Sequence, residues 1–313
     1  LATWRTDLQR WSWAEGDTAP IRYCFVDPPT GGDHPRRAWS AAEKGAARHA
    51  IGEWNEALKA FARRNGRTGT DRVTEAAAGQ RCDVTLRWED SRFFRDYRVR
   101  DTATGKATHG IDLTGTPAYA DRAGGGSLEP VRGNPLTPFT PGRDTARYPR
   151  GEIYFNTEPY ASISDFKGWF VDPTPDRDEE FEAVESDTLP PYRKLQARRG
   201  GPADDRIDFY TAAKHEFGHM LGLGHRGKAG ANGDRGQVMA SGAGAQERRH
   251  QLPILKWMEN ERRHLTAGDI ALLEKHYRRE LGPRRPPVWR IVLGVAAAVV
   301  LIALLVLAVR GGN

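Results

Sequence analysis

The chain of 313 residues has only two cysteines, Cys24 and Cys82, and neither lies in a CxxC pair. That excludes a thiolate zinc site and a dithiol redox centre. It leaves either one disulfide or two buried free thiols, and the sequence keeps both open. A block of charge of one sign is missing too. The net charge of +6 comes mostly from arginine, acidic residues are interleaved throughout, and no basic run alternates with aromatics. A mixed-sign solvated surface is therefore expected, and nucleic-acid binding is not. Methionine is scarce at three residues, so each position carries information. No internal repeat occurs, and no long apolar run comes before residue 291. The chain opens on Leu1 without a signal-peptide pattern, so trimming ahead of Leu1 is expected.

What is present fits a folded body, with 38% hydrophobic and 28% charged residues. Ile21, Tyr23 and Phe25 alternate in "PIRYCFVD", and Val84, Leu86 and Trp88 alternate in "CDVTLRWED". Both read as strands. Between them, Ser40 and Glu43 form a capping box. Ile51, Trp54, Leu58 and Phe61 follow at helical spacing, and Asn65-Gly66 supplies the stop. Strand, helix, strand in this order is one right-handed crossover, and so a parallel pair. His49 on this helix reads as a surface histidine. Residues 121–149 read as loop, and "GEIYFN" (151–156) as a short strand with Ile153 and Phe155 inward. Residues 172–204, acidic then basic, read as a long surface insertion. Thr266 and Asp269 cap a last helix whose stripe is Ile270, Leu273, Tyr277 and Leu281, ended by Gly282-Pro283.

Ile291 to Val309 form nineteen consecutive apolar positions. At ~1.5 Å per residue such a helix matches a bilayer core. A transmembrane helix is expected there, reached through a Pro/Arg linker (283–290) and followed by a four-residue tail (310–313). No Leu-Pro-x-Thr-Gly precedes it, which sets aside a cell-wall sorting signal.

The chemistry concentrates in "HEFGHMLGLGH", residues 215–225. His215 and His219, four apart on a helix, can present two imidazoles to one ion. Glu216 would sit beside that ion without ligating it, placed to take a proton from an activated water. Gly222 permits the left-handed backbone of a sharp turn, after which His225 would complete three histidines. The fourth position would stay open, as catalysis requires. Downstream, "QVMAS" places Met239 where the extended HExxHxxGxxH pattern has its methionine turn.

On these residues the sequence resembles the metzincins, and within them the matrixins. "YTAAKHEFGHMLGLGH" is similar to their zinc-helix signature and "LTAGDIALLEKHY" to their C-terminal helix. "WSAAEKGAARHAIGEWNEAL", "CDVTLRW" and "GEIYFN" fit the earlier helix and strands. The resemblance implies an α/β to α+β fold: a twisted, mostly parallel five-stranded sheet with one antiparallel edge strand, packed on two long helices, plus a C-terminal helix. The protease domain would span residues 1–282. "GTPAYADR" (115–122) resembles the edge strand that borders the cleft, so Ala118, Tyr119 and Ala120 would pair with extended substrate. Residues 240–258 would wall the pocket after the cleaved bond. Toward the family's second, structural zinc the region ahead of the helix offers mainly His109 and Asp112, so one catalytic Zn2+ is expected. Structural calcium is permitted but leaves no legible signature. The insertion at 172–204 departs from the family pattern.

The expected function is therefore zinc-dependent hydrolysis of peptide bonds in protein or peptide substrates beside a lipid bilayer. The competing reading is a membrane-tethered binding module with a structural zinc. Arg284, Arg285 and Arg290 against Arg310 favour a cytoplasmic, tail-anchored domain. The resembled family's exported habit and the cysteine pair favour the extracellular face, which is the expectation.

Overall fold

The computed structural model describes residues 3–5, 10–12, 19–27, 37–90, 118–122, 151–158, 167–185, 193–223, 238–239, 263–283 and 302. In chain order the strands are β1 (Thr3–Arg5), β2 (Arg10–Ser12), β3 (Ile21–Val26), β4 (Val73–Glu75), β5 (Val84–Glu89), β6 (Ala118–Arg122), β7 (Gly151–Asn156), β8 (Trp169–Phe170), β9 (Phe181–Glu185), β10 (Arg193–Ala197) and β11 (Ile207–Asp208). The helices are α1 (Ala41–Arg64), α2 (Phe209–Met220) and α3 (Ala267–Leu281).

The chain is a mixed α/β protein built on a sheet of order β4-β3-β5-β7-β6. β4, β3, β5 and β7 run parallel, and β6 pairs antiparallel with β7 at the edge. β3 and β5 pair in parallel as expected, but α1 leads first to β4, which pairs in parallel along the other side of β3 before the chain returns to β5. The capping box forms as the sequence implies: Ser40 N–H donates to Glu43 Oε2 (2.8 Å) and Glu43 N–H to Ser40 Oγ (3.2 Å). Gly66 ends α1 at φ +67°. The helix buries Ala47, Ala50, Ile51, Trp54, Leu58 and Ala62 against Ile21, Val84, Leu86, Trp88, Ile153 and Phe155 of the sheet. Full burial of each large side chain contributes ~1.5–3 kcal/mol. β4, only three residues long, carries too little periodicity to be read from sequence.

Alternation in β5 and β7 suggested one inward face, but both faces are covered. Thr85, Arg87, Glu89 and Tyr154 are buried as well. Glu152 draws two of them together: Arg87 pairs with it, and Tyr154 Oη donates to Glu152 Oε2 (2.5 Å). Central strands of a parallel sheet have two covered faces, and here the second is polar.

The 172–204 insertion is also more built than its polarity suggested. β9 and β10 form an antiparallel hairpin. Phe170, Phe181, Ala197 and Ala203 make a small core of their own, joined by Leu195. Asp172 is 1% exposed. The two cysteines are joined as a Cys24–Cys82 disulfide that ties β3 to the entry of β5. No helix among the described residues is long and apolar enough to cross a membrane. Of 291–309 only Ile302 is described, helical and exposed; the rest lies outside the described residues, as do His225, His109 and Asp112.

The bridge closes a loop across 58 positions. Replacing both cysteines by alanine is expected to lower the unfolding free energy by about 2–4 kcal/mol, measured by urea denaturation.

Candidate metal centre

Helix α2 starts at Asp208, whose side chain accepts from Thr211 N (3.3 Å) and Thr211 Oγ1 (2.6 Å). It ends in a Schellman turn. Gly222 stands at φ +88°, with Gly222 N–H donating to His219 O (2.9 Å) and Leu223 N–H to Gly218 O (3.1 Å). Such a turn satisfies the last carbonyls and needs glycine at the left-handed position. Tyr277 of α3 fixes the same end by donating its hydroxyl to Leu221 O (2.8 Å).

His215 and His219 project together, with ring centroids 4.7 Å apart and planes at 90°. His215 Nδ1 lies 2.5 Å from Val238 O, and His219 Nδ1 lies 2.8 Å from Leu223 O. A carbonyl only accepts, so each Nδ1 carries a proton, which in the neutral ring leaves Nε2 as the acceptor. The two Nε2 atoms stand 3.1 Å apart. Two nitrogens ~2.0–2.1 Å from one tetrahedral zinc would be about 3.3–3.4 Å apart, so the donor pair fits that ion. The carbonyl bonds behind the rings are the partners that metal-ligating histidines use to fix tautomer and orientation. Glu216 follows His215 on the helix, and both are buried (6% and 7% exposed). Among the described residues no group of three such side chains is assembled.

Met239 is fully buried. It packs against α2 at Gly218, where an added Cβ would overlap Met239 Sδ and press on the Trp54 ring. A glycine inside a helix costs ~1 kcal/mol relative to alanine, and close approach of Met239 is what it allows here. Asp269 holds the backbone of this turn. Its carboxylate, 0% exposed, accepts from Val238 N (3.0 Å) and Met239 N (3.1 Å) as well as from Thr266 N (3.0 Å) and Thr266 Oγ1 (2.8 Å). The sequence marked Asp269 only as a cap and gave Gly218 no role; a glycine in a helical pattern was the available signal.

β6 carries Ala118, Tyr119 and Ala120 opposite Phe155, Tyr154 and Ile153. It forms the sheet edge and lies against α2, so the histidine helix and the edge strand border one another.

A second polar cluster sits on the other flank of α2. Lys214, fully buried, pairs with Glu53 of α1 (2.7 Å) and donates to Arg263 O. Tyr210 Oη also donates to Glu53. His264 reaches Glu53 (3.8 Å) and Asp178 (2.9 Å). Burial alone would raise the Glu53 carboxyl, but contact with His264 and the Lys214 ammonium outweighs it and holds the group down at about 2. Burial pushes the Lys214 ammonium down despite Glu53, because the lysine has no water left while Glu53 keeps a quarter of its side chain exposed (24%). His264 is raised, chiefly by Glu53, against a smaller burial penalty and with help from Asp178.

No model of a known protein family matches the chain, and no curated protein matches it.

Two outcomes follow from this packing. Gly218→Ala is expected to lower Tm, since overpacking costs about 1–3 kcal/mol and exceeds the helix-propensity gain of ~1 kcal/mol. Gly52→Ala in α1, where a Cβ meets nothing within 4 Å, is expected to raise Tm in the same thermal melts. For pH, the His264 contribution is full below the unfolded value of about 6.5 and is lost as pH rises through the higher folded value. The Glu53 contribution is present above about 4.3 and is lost as pH falls towards about 2. Calorimetric Tm should therefore decline in the wild type as pH rises from about 6.5 towards the range near 8 where Lys214 loses its proton, and His264→Ala should flatten that decline.

Proposed function

We propose that this chain is a zinc-dependent endopeptidase of the metzincin, matrixin-like kind, tethered to a membrane by residues 291–309 with its catalytic domain on the extracellular face. The observation that carries the reading is the His215–His219 pair. Its Nε2 acceptors are 3.1 Å apart, with both Nδ1–H groups committed to backbone carbonyls. His215 and His219 would hold the ion, with His225 as the third ligand. When bound, zinc supplies Lewis-acid polarisation of the scissile carbonyl and a nucleophilic water near neutral pH.

The protein's own groups do the rest. Glu216 takes the proton from the attacking water and delivers it to the leaving amine. Its burial beside the histidines strengthens both transfers, since a low local dielectric enlarges each electrostatic interaction. An extended peptide pairs with β6 near Ala118–Ala120 by strand addition, which aligns the scissile bond along the helix. A five-residue antiparallel edge strand that borders α2 supports that placement. The Cys24–Cys82 bridge supports an oxidising compartment.

Glu216→Gln is expected to reduce turnover of a fluorogenic unfolded protein by about 10²–10⁴-fold while bound zinc, read by metal analysis, stays stoichiometric. Zinc retained with undiminished turnover would remove the proton-transfer role. Stoichiometric zinc in a wild-type chain that cleaves nothing would favour the binding-module reading instead.

A further inference from the structure

Between β8 and β11 the chain makes an excursion over residues 171–206. The two strands pair in parallel, Ile207 opposite Trp169 and Asp208 opposite Phe170, so both ends of the excursion lie side by side. The return strand runs straight into Asp208, the N-cap of α2. One side chain reaches both partners. The Arg263 guanidinium, 0% exposed, pairs with Asp172, meets Asp178 Oδ1 (3.1 Å) and lies 4.3 Å from the Phe181 ring centroid, all in the excursion. Toward the helix it lies 3.7 Å from Asp208 and 5.3 Å from the Tyr210 ring, and its own carbonyl accepts from Lys214 Nζ.

Burying an arginine among carboxylates adds little net stability over apolar packing of the same volume. What a planar fork does supply is direction, because its donors lie in one plane and meet carboxylates in fixed geometry. We propose that Arg263 is a positioning residue that couples the 171–206 excursion to α2, so that the seating of the excursion sets the alignment of the His215–His219 pair. α2 has twelve residues and is fixed at its far end by the Tyr277–Leu221 bond. It cannot slide to absorb a change at its first turn. Lys214 precedes His215 by one position, ~100° of helix, so a tilt imposed at Asp208, Tyr210 and Lys214 reaches the imidazoles directly. Val238 O and Leu223 O then no longer face the two Nδ1 atoms as they do here. The consequence for catalysis rests on reading the pair as a metal centre; the coupling itself does not.

The test uses the full chain with Arg263→Lys, which keeps the charge and loses the fork, and Asp172→Asn, which leaves Arg263 in place. The ring resonances of His215 and His219 are expected to shift in both variants while the amides of the first turn of α1 stay put. Turnover is expected to fall about 10-fold in kcat with KM unchanged. Unshifted ring resonances in folded variants, with only Tm lowered, would reduce Arg263 to a structural role and overturn the proposal. If Arg263→Lys does not fold, Asp172→Asn carries the same readout. Titrating the wild type with zinc separates the two ideas. Ring resonances indifferent to zinc defeat the metal reading, while the variant spectra still decide the coupling.

Discussion

The buried carboxylate of Asp269 is the constraint on which the site depends. It caps α3 through Thr266 and at the same time takes the backbone N–H groups of Val238 and Met239. With those two residues held, the Val238 carbonyl meets His215 Nδ1 and the Met239 side chain lies against Gly218. Hydrogen bonds to a charged group contribute about 1.5–3 kcal/mol each. Leaving such a carboxylate buried without them would cost more than the bonds contribute. The geometry of one imidazole is thus fixed by a residue fifty-four positions later in the chain.

Helix α2 is held from three sides by different physics. Toward α1 it is apolar packing, a buried bond from Trp54 Nε1 to Lys214 O (2.9 Å), and the Glu53 carboxylate that Lys214 and Tyr210 reach. Toward α3 it is the Tyr277 hydroxyl on the helix end. On the remaining flank it is ionic, through Glu53, Lys214, Arg263 and the acidic residues of the excursion. The ionic flank is where directional contacts replace close packing. Its neighbouring groups are pushed in opposite directions, with Glu53 lowered, and Asp208 raised by burial despite the nearby guanidinium.

Much of the fold was legible because its signals are local. Ser40 with Glu43, the stripe through Ile51, Trp54 and Leu58, and the alternations of β3 and β5 each act within a few residues. The spacing of His215 and His219 is likewise a property of the helix alone. What escaped was non-local. Arg87 and Glu89 look solvent-facing in an alternating strand, and they are buried because this central strand of a parallel sheet is covered on its second face as well. The acidic and basic halves of 172–204 look like a solvated loop, because nothing near them in sequence shows that Arg263 would gather Asp172 and Asp178.

The sequence by itself determined which residues stand together for the proposed chemistry: two histidines one turn apart, a glutamate beside the first, and a glycine where the helix must stop. Helical periodicity and backbone sterics suffice for that. The tertiary structure alone decided the protonation pattern and aim of those histidines. The partners of their Nδ1 atoms are backbone carbonyls, and the Val238 carbonyl is delivered by a turn that Asp269 pins. It also decided the cysteine question, since Cys24 and Cys82 become neighbours only when β3 and β5 pair. Local sequence can name a ligand, but the direction of its lone pair belongs to whatever the fold places behind the ring.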